Sequence, residues 1–378
     1  MPMRFDYTKY ARRFATRFPV LNYLLLQIFF WMFAYALLAI LAHLILLAAS
    51  PALQGQSNLK AIMIIALFFG FFNGSAVGYV SWLLEKRFFH NKAIGIIILI
   101  KAVISLVVFV ILISLVKSVL YPYLLRNFFS NANPETSQLS WDAFFYLLLI
   151  YTIVIGVMIS FINQVNKKYG PGVLLPLLLG KYRKPKEEER FFLFMDLKSS
   201  TSIAEALGHL NYSSFIRDSF MDINSVLADY NAQIYQYAGD EIILTWTIED
   251  GLKNFSCIQF FFACEERFRK RYGHYQKQYG QTPEFKAGLH MGKVTVVEVG
   301  DIKRDIAYHG DTLNTAARIQ SVCNLYNKNF LTSVYVWQRT GIEKYYDTEL
   351  IGMVALKGKT QPVEIASVSR LKPTKTDK

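Results

Sequence analysis

The chain has 378 residues, 53% of them hydrophobic, and a formal net charge of +13. That length admits two or three domains. Long apolar runs fill the first half and dense mixed-charge sequence follows about residue 167, which excludes one evenly patterned soluble domain and points to a membrane part joined to a soluble part. The positive charge does not indicate nucleic acid: the basic residues flank apolar runs instead of forming one patch beside aromatic platforms, so no nucleic-acid partner is expected. Cys257, Cys264 and Cys323 lack CxxC spacing and are read as reduced packing residues.

Four stretches, roughly Val20 to Ala49, Ala61 to Leu84, Ala93 to Val116 and Ala143 to Ile162, have the ~20 apolar residues needed to cross a bilayer core. The first is too long for a signal peptide and no small-residue cleavage site follows it, so it is expected to stay as an anchor. Arg4, Lys9, Arg12, Arg13 and Arg17 precede the first span, Lys86, Arg87 and Lys92 separate the second and third, and Lys167 and Lys168 follow the fourth. The segments Ser50 to Lys60 and Tyr121 to Asp142 are poorer in basic residues. Positive loops stay in the cytoplasm, which places both termini there and makes the chain a multi-pass protein of the inner or plasma membrane.

Within the spans, Gly70, Gly74 and Gly78 recur every four residues and give one helix face a close approach, either inside the bundle or to a second copy. Asn73 and Lys101 are polar exceptions. Lys101 lies near the expected cytoplasmic end, where its side chain can snorkel outward. Between Asn163 and Arg190, Gly-Pro and Lys-Pro break the pattern into a connector with one short helix expected over Val173 to Leu179.

In the soluble half, a strand-like run over Phe191 to Met195 ends at Asp196, and a helical pattern opened by Ser199, Ser200 and Thr201 runs to about Tyr230. Gln233 to Tyr237 and Ile242 to Trp246 read as two strands joined by a tight turn at Ala238-Gly239-Asp240. A helix over about Leu252 to Lys277, a strand region over about Phe285 to Val299 and a helix over about Thr312 to Tyr326 follow. This β-α-β-β-α-β order predicts an α+β, ferredoxin-like domain behind the four-span helical bundle. Such an order brings Asp196 at a strand end beside Asp240 on the neighbouring turn. Two carboxylates so placed can hold two hard divalent ions against a triphosphate, with the helix start near Ser199 as a phosphate seat.

The segments Phe194-Met-Asp196-Leu-Lys-Ser-Ser-Thr201, Tyr237-Ala-Gly-Asp240, Gly288-Leu-His-Met-Gly292, Gly310-Asp-Thr-Leu-Asn314-Thr-Ala-Ala-Arg318 and Leu356-Lys-Gly-Lys359 resemble, in order, the blocks of the class III adenylyl/guanylyl cyclase catalytic domain. The resemblance covers about Arg190 to Val368. It implies conversion of ATP, with GTP as the alternative substrate, to the 3′,5′-cyclic monophosphate with two Mg²⁺ or Mn²⁺ ions. Asp196 and Asp240 would be the metal ligands, Asn314 would orient the ribose, and Arg318 would stabilise charge on the α-phosphate. Lys357, ahead of Lys359, and Arg304 would hold the terminal phosphates. His290 and His309 have no ligand-spaced partner and are assigned to no metal.

The sequence departs from the family at the base-reading positions, which are Gln236 and Ala307, with Tyr308 adjoining. Gln236 keeps donor and acceptor atoms, whereas Ala307 has none in its side chain. The resemblance also implies a homodimer, with the Asp pair from one subunit facing the Asn/Arg pair of the other. Residues 1–162 are then a four-helix transmembrane domain, 163–189 a juxtamembrane connector, 190–370 the catalytic domain and 371–378 a basic tail. Ala238-Gly-Asp-Glu-Ile242 imitates the central turn of GGDEF diguanylate cyclases, and Gly208-His209 adds a superficial likeness. That family accounts for neither the Asn314/Arg318 block nor Lys-Gly-Lys. A cyclase-like module without turnover is the other rival, and it gives no reason to keep Asp196, Asp240, Asn314 and Arg318 together.

Overall fold

The computed structural model describes residues 14, 18–49, 59–87, 93–115, 118, 134–169, 180–302, 304–359 and 361–371. It divides into two compact units, Met1–Leu175 and Pro176–Lys378. The basic N-terminal segment, the expected helix over Val173 to Leu179 and the basic tail after residue 371 lie outside the described residues.

The first unit contains α1 (Pro19–Ala49), α2 (Leu59–Arg87), α3 (Ile94–Leu115) and α4 (Pro134–Tyr169). Each includes a stretch long and apolar enough to cross a membrane: Val20–Ile45, Ile62–Leu84, Ile94–Ser114 and Phe145–Asn166. Their burial is inverted relative to a protein folded in water. Phe29, Phe33, Ile45, Ile64, Phe68 and Leu99 face outward, whereas Gln27, Asn73, Lys101, Ser105 and Thr152 are buried. Apolar surroundings explain this, because a polar group is better placed inside the bundle than against hydrocarbon and an outward apolar group loses nothing there.

A Cβ at Gly70 or Gly74 would stand 2.5 Å from the Cα of Met32 or 2.6 Å from that of Ile28. The glycine stripe is therefore used inside the bundle, seating α2 on α1. Lys101 departs from the snorkelling expectation: its side chain is buried and its ammonium donates to the Tyr23 hydroxyl at 3.2 Å.

The second unit is built on one eight-stranded sheet. β1 (Lys186–Leu197), α5 (Ser200–Val226), β2 (Gln233–Ala238), β3 (Glu241–Thr247), α6 (Ile248–Leu252), α7 (Ser256–Lys270), α8 (Tyr272–Tyr279) and β4 (Phe285–Val299) come first. β5 (Asp305–His309), α9 (Asp311–Ser321), β6 (Phe330–Ser333), α10 (Val334–Thr340), β7 (Tyr346–Val354) and β8 (Val363–Arg370) complete it. The strand order is β2-β3-β1-β4-β6-β8-β7, with β5 paired to β4. Its first four strands are antiparallel, the ferredoxin-like arrangement expected from the element order.

Alternation along β1 sorts the two faces. Phe191, Leu193, Met195 and Leu197 enter a core with Phe215 and Ile223 of α5 and Phe260, Phe261 and Phe268 of α7. Phe192 and Phe194 enter the core on the other face, with Ile243, Val294, Val296 and Ala316 of α9. Asp196 continues that second phase, so it emerges on the α9 side. On the first side, buried Asp222 accepts from Arg267 Nε at 3.0 Å, Arg271 Nη1 at 2.9 Å and the Tyr275 hydroxyl at 2.6 Å, which ties α5 to α7 and α8.

Two helices differ from the sequence expectation. The single helix over Leu252 to Lys277 is broken twice: between α6 and α7, Asn254 and Phe255 adopt left-handed φ values of 50° and 53° and cannot continue a right-handed turn, and between α7 and α8, Arg271 leaves the helical region at φ −102° and ψ 14°. Phe255 instead packs against Tyr345, ring centroids 5.0 Å apart and the planes tilted by 43°. The helix expected to reach Tyr326 ends at Ser321, and turns carry the chain to Asn327, which is left-handed at φ 52°.

Candidate active site

Asp196 is the penultimate residue of β1, opposite Glu241 on β3 and Lys286 on β4. Its Oδ2 accepts from Lys286 Nζ at 3.1 Å and from Gln320 Nε2 of α9 at 3.1 Å. The second contact depends on a close approach of α9 to β4. A Cβ at Gly288 would fall 2.3 Å from the backbone nitrogen of Gln320. Asp240 occupies the β2–β3 turn behind Gly239, whose φ is 66°.

The electrostatics of Glu241 join these two aspartates. Its carboxyl is pushed from 4.5 up to about 7, first by burial and then by the Asp196 and Asp240 carboxylates, with Lys286 opposing. Tyr212 of α5 is also raised, by burial, Asp240 and Asp196 in that order, while a hydrogen bond with Ser200 lowers it. The three carboxylates thus lie close enough to act on one another. Ser199, at φ 53°, turns the chain out of β1 so that α5 begins at Ser200 beside them.

Asn314 and Arg318 lie on α9, Asn314 exposed and Arg318 half-buried. Arg318 Nη2 rests on Gly358 of the Lys-Gly-Lys loop, 3.1 Å from where a Cβ would stand. Lys359 of that loop pairs with Asp311 Oδ2 at 2.6 Å and donates to Thr315 Oγ1 at 2.7 Å. The hydrogen bond from Lys359 holds the Asp311 carboxyl below its ordinary range. Lys357 is exposed, as is Arg304 just before β5. His290 is pushed down to about 4, chiefly by burial and then by Lys359, and its Nδ1 is 2.7 Å from Ser333 Oγ. A neutral imidazole committed to a hydroxyl is a structural group here.

Gln236 is exposed on β2, and Ala307 lies on β5 opposite Val297. Their chain neighbours meet: Tyr235 and Tyr308 pack edge to face with centroids 4.9 Å apart, and Tyr308 also contacts Phe192 at 5.4 Å. The Arg190 guanidinium lies over the Tyr308 ring at 5.2 Å.

The expected residues therefore form two groups, Asp196 with Asp240 and Asn314 with Arg318. They point different ways within one chain. Gln320 faces Asp196, and a residue two positions earlier on an α-helix projects about 200° around the axis, so Arg318 faces away from the aspartates. Asn314 is six positions earlier, about 9 Å along the axis and about 120° around it.

Four residues that the sequence reading did not single out belong to the aspartate group: Glu241, Lys286, Gln320 and Tyr212. Glu241 was discoverable as the neighbour of Asp240. Lys286 and Gln320 reach Asp196 only through strand register and helix packing. Among the described residues, no group of three or more His, Cys, Asp or Glu side chains is arranged to hold a metal alone. The aspartate pair is a hard oxygen donor set whose charge already raises the neighbouring Glu241, and it suits a hard divalent ion that also takes oxygen ligands from a phosphate.

Residues 183–366 match the model of the adenylate and guanylate cyclase catalytic domain. The chain is 33% identical over 222 residues to Adenylate cyclase 2 of Rhizobium meliloti (strain 1021), covering 59% of this chain and 61% of that protein. It is 27% identical over 183 residues to an adenylate cyclase of Anabaena cylindrica, covering 47% of this chain and 36% of that protein. The match thus spans about three fifths of one curated relative and about a third of the other. Among solved structures, the adenylyl cyclase CyaB from P. aeruginosa aligns with 50% of this chain and 98% of its own, at 17% identity and a TM-score of 0.44. With four apolar helices ahead of it, the segment 183–366 is a class III adenylate/guanylate cyclase catalytic domain.

Proposed function

We propose that the protein is a membrane-bound adenylate cyclase, acting as a homodimer that converts ATP to 3′,5′-cyclic AMP and pyrophosphate for intracellular signalling. The observation that carries this reading is the presence of both half-sites on outward-facing surfaces of one domain, with Asn314 and Arg318 turned away from their own Asp196. A two-fold assembly would set each half-site against its complement from the other subunit, giving two identical sites.

Asp196 and Asp240 would hold two Mg²⁺ or Mn²⁺ ions, which neutralise the triphosphate and ease deprotonation of the ribose 3′-hydroxyl. Asn314 orients the ribose through its amide so that the hydroxyl lies in line with the α-phosphate. Arg318, held against Gly358, meets the negative charge that grows on the α-phosphate as pyrophosphate leaves. Lys359 orders the loop through Asp311 and Thr315, and leaves exposed Lys357 and Arg304 to reach the terminal phosphates.

Gln236 reads the base edge, and Ala307 adds no polar partner, so ATP is preferred to GTP by less than a doubly paired base would allow. The domain limits at residues 162, 189 and 370, the cytoplasmic placement of both termini and the plasma-membrane location belong to the same proposal. They are supported by the charge pattern around the four apolar helices. The test is mass-spectrometric identification of the product when purified protein receives ATP, GTP or both with Mg²⁺ or Mn²⁺. Cyclic AMP should dominate from an equimolar mixture; predominant cyclic GMP, or no cyclic product, would refute the reading.

A further inference from the structure

Arg190 of β1 is only 3% exposed, and its guanidinium spans three strands. Nε donates to Thr245 Oγ1 of β3 at 3.0 Å, Nη2 to Gln233 Oε1 of β2 at 2.7 Å, and Nη1 to Glu188 Oε2 of β1 itself at 3.0 Å. The same group lies over the Tyr308 ring of β5 at 5.2 Å. A buried guanidinium is costly unless its fork is matched in this way, and a lysine would offer a point charge in place of the fork.

This clamp joins the two strands that carry Gln236 and Ala307. β3, β1 and β4 lie between β2 and β5 in the sheet, so the two share no ladder. They meet through side chains instead. Tyr235 and Tyr308 pack edge to face at 4.9 Å, both pack on Phe192 at 6.4 and 5.4 Å, and the Tyr308 backbone N–H donates to the Tyr235 hydroxyl at 3.5 Å. In β2 the register shifts at Tyr235: Ile234 stands opposite Leu244, and Gln236 opposite Ile243. Residues opposite each other in a ladder share a face, so Gln236 lies on the α9 side with Ile243, next to Tyr235. A regular strand with Tyr235 in the same place would turn Gln236 to the other face, away from Asp196. Tyr308, opposite Val296, is on the α9 side too.

We propose that Arg190 is a positioning residue for nucleotide recognition: by tying Gln233 and Tyr308 to β1 it holds the bulge at Tyr235, and so sets the Gln236 amide against the base. The role rests on the reading of Gln236 as the residue that meets the base edge. The bulge interrupts the ladder hydrogen bonds, so the packing of its side chains fixes where Gln236 points.

The test uses the full-length protein in detergent, with kcat and KM for ATP and for GTP and the thermal midpoint as readouts. Gln236→Ala is the reference. It should raise KM for ATP about tenfold, the upper range for one neutral hydrogen bond, with kcat little changed, as for a contact made equally in ground and transition states. Arg190→Lys keeps the charge without the fork. Gln233→Met removes only the acceptor on β2, at a half-buried position, and keeps the test in a folded protein if Arg190→Lys does not fold. Each should raise KM for ATP and lower the ratio of kcat/KM for ATP over GTP, and neither should add to the effect of Gln236→Ala, because residues acting through one group are not additive. A lower thermal midpoint with unchanged KM and ratio would make the clamp purely structural and overturn the proposal. So would a fall in kcat shared by both nucleotides, or equal effects with and without Gln236. If Gln236→Ala itself leaves KM and the ratio unchanged, the base reading fails first and the role of Arg190 falls with it.

Discussion

Sharing of the active site between subunits can be tested by complementation of two inactive variants. Asp196→Asn keeps an acceptor for Lys286 and Gln320 but removes the charge needed for the divalent ions. Asn314→Ala truncates an exposed side chain on α9 and should leave the fold intact. Each homodimer carries the same defect in both of its sites and should be inactive. In a mixed dimer, one site collects both defects and the other collects neither. With random assortment about half the dimers are mixed, and half of their sites are intact, so co-expression should restore roughly a quarter of wild-type activity. Purifying mixed dimers through two different tags should raise that to about half. The roughly 200° that separates Gln320 from Arg318 around α9 is the geometric basis for this outcome. Cyclic AMP formation by the doubly tagged fraction is the assay. If that fraction contains both variants and remains inactive, each site is built within one chain and the reasoning fails.

Asp240→Asn and Arg318→Ala should each lower kcat by about 10²-fold or more with unchanged thermal stability, as expected when a charge aimed at the transition state is lost. Near-normal turnover in either would remove that residue from the site. Glu241 links stability to pH: its folded carboxyl is raised to about 7 from 4.5, so its contribution is complete below the lower value and is lost as pH rises through the higher one. In metal-free buffer the wild-type thermal midpoint should therefore fall more steeply than that of Glu241→Gln between roughly pH 5 and pH 8, and Mg²⁺ should flatten the difference by favouring the ionised form. Equal slopes without metal would contradict the shared electrostatics of Asp196, Asp240 and Glu241. Gln236→Lys should change the ratio of kcat/KM for ATP and GTP while leaving pyrophosphate release intact; an unchanged ratio would show that this position does not read the base.

Several residues gave up their place to local pattern alone. Asp196 ends a short continuous run of large apolar residues, and Asp240 follows a glycine between two strand-like segments, so a strand end and a hairpin turn could be assigned from the sequence. The four spans follow from apolar length, a property summed along the chain and independent of how the helices pack. The break of the long helix at Asn254 and Phe255 was not legible, since neither residue type demands a left-handed φ and the Phe255–Tyr345 contact closes over ninety residues of chain.

The sequence alone determined the division into an apolar and a charged half and the β-α-β-β-α-β order, because periodicity is local, while its resemblance to the cyclase blocks put forward the Asp and Asn/Arg pairs as candidates. Tertiary structure decided what touches what. Register across β1, β3 and β4 brought Glu241 and Lys286 to Asp196, and the seating of α9 on Gly288 brought Gln320 there while turning Arg318 away. In the bundle, α2 closed on α1 through Gly70 and Gly74, and Lys101 went inward to Tyr23 instead of outward. These outcomes depend on distances between segments far apart in the chain, and no local pattern carries that information.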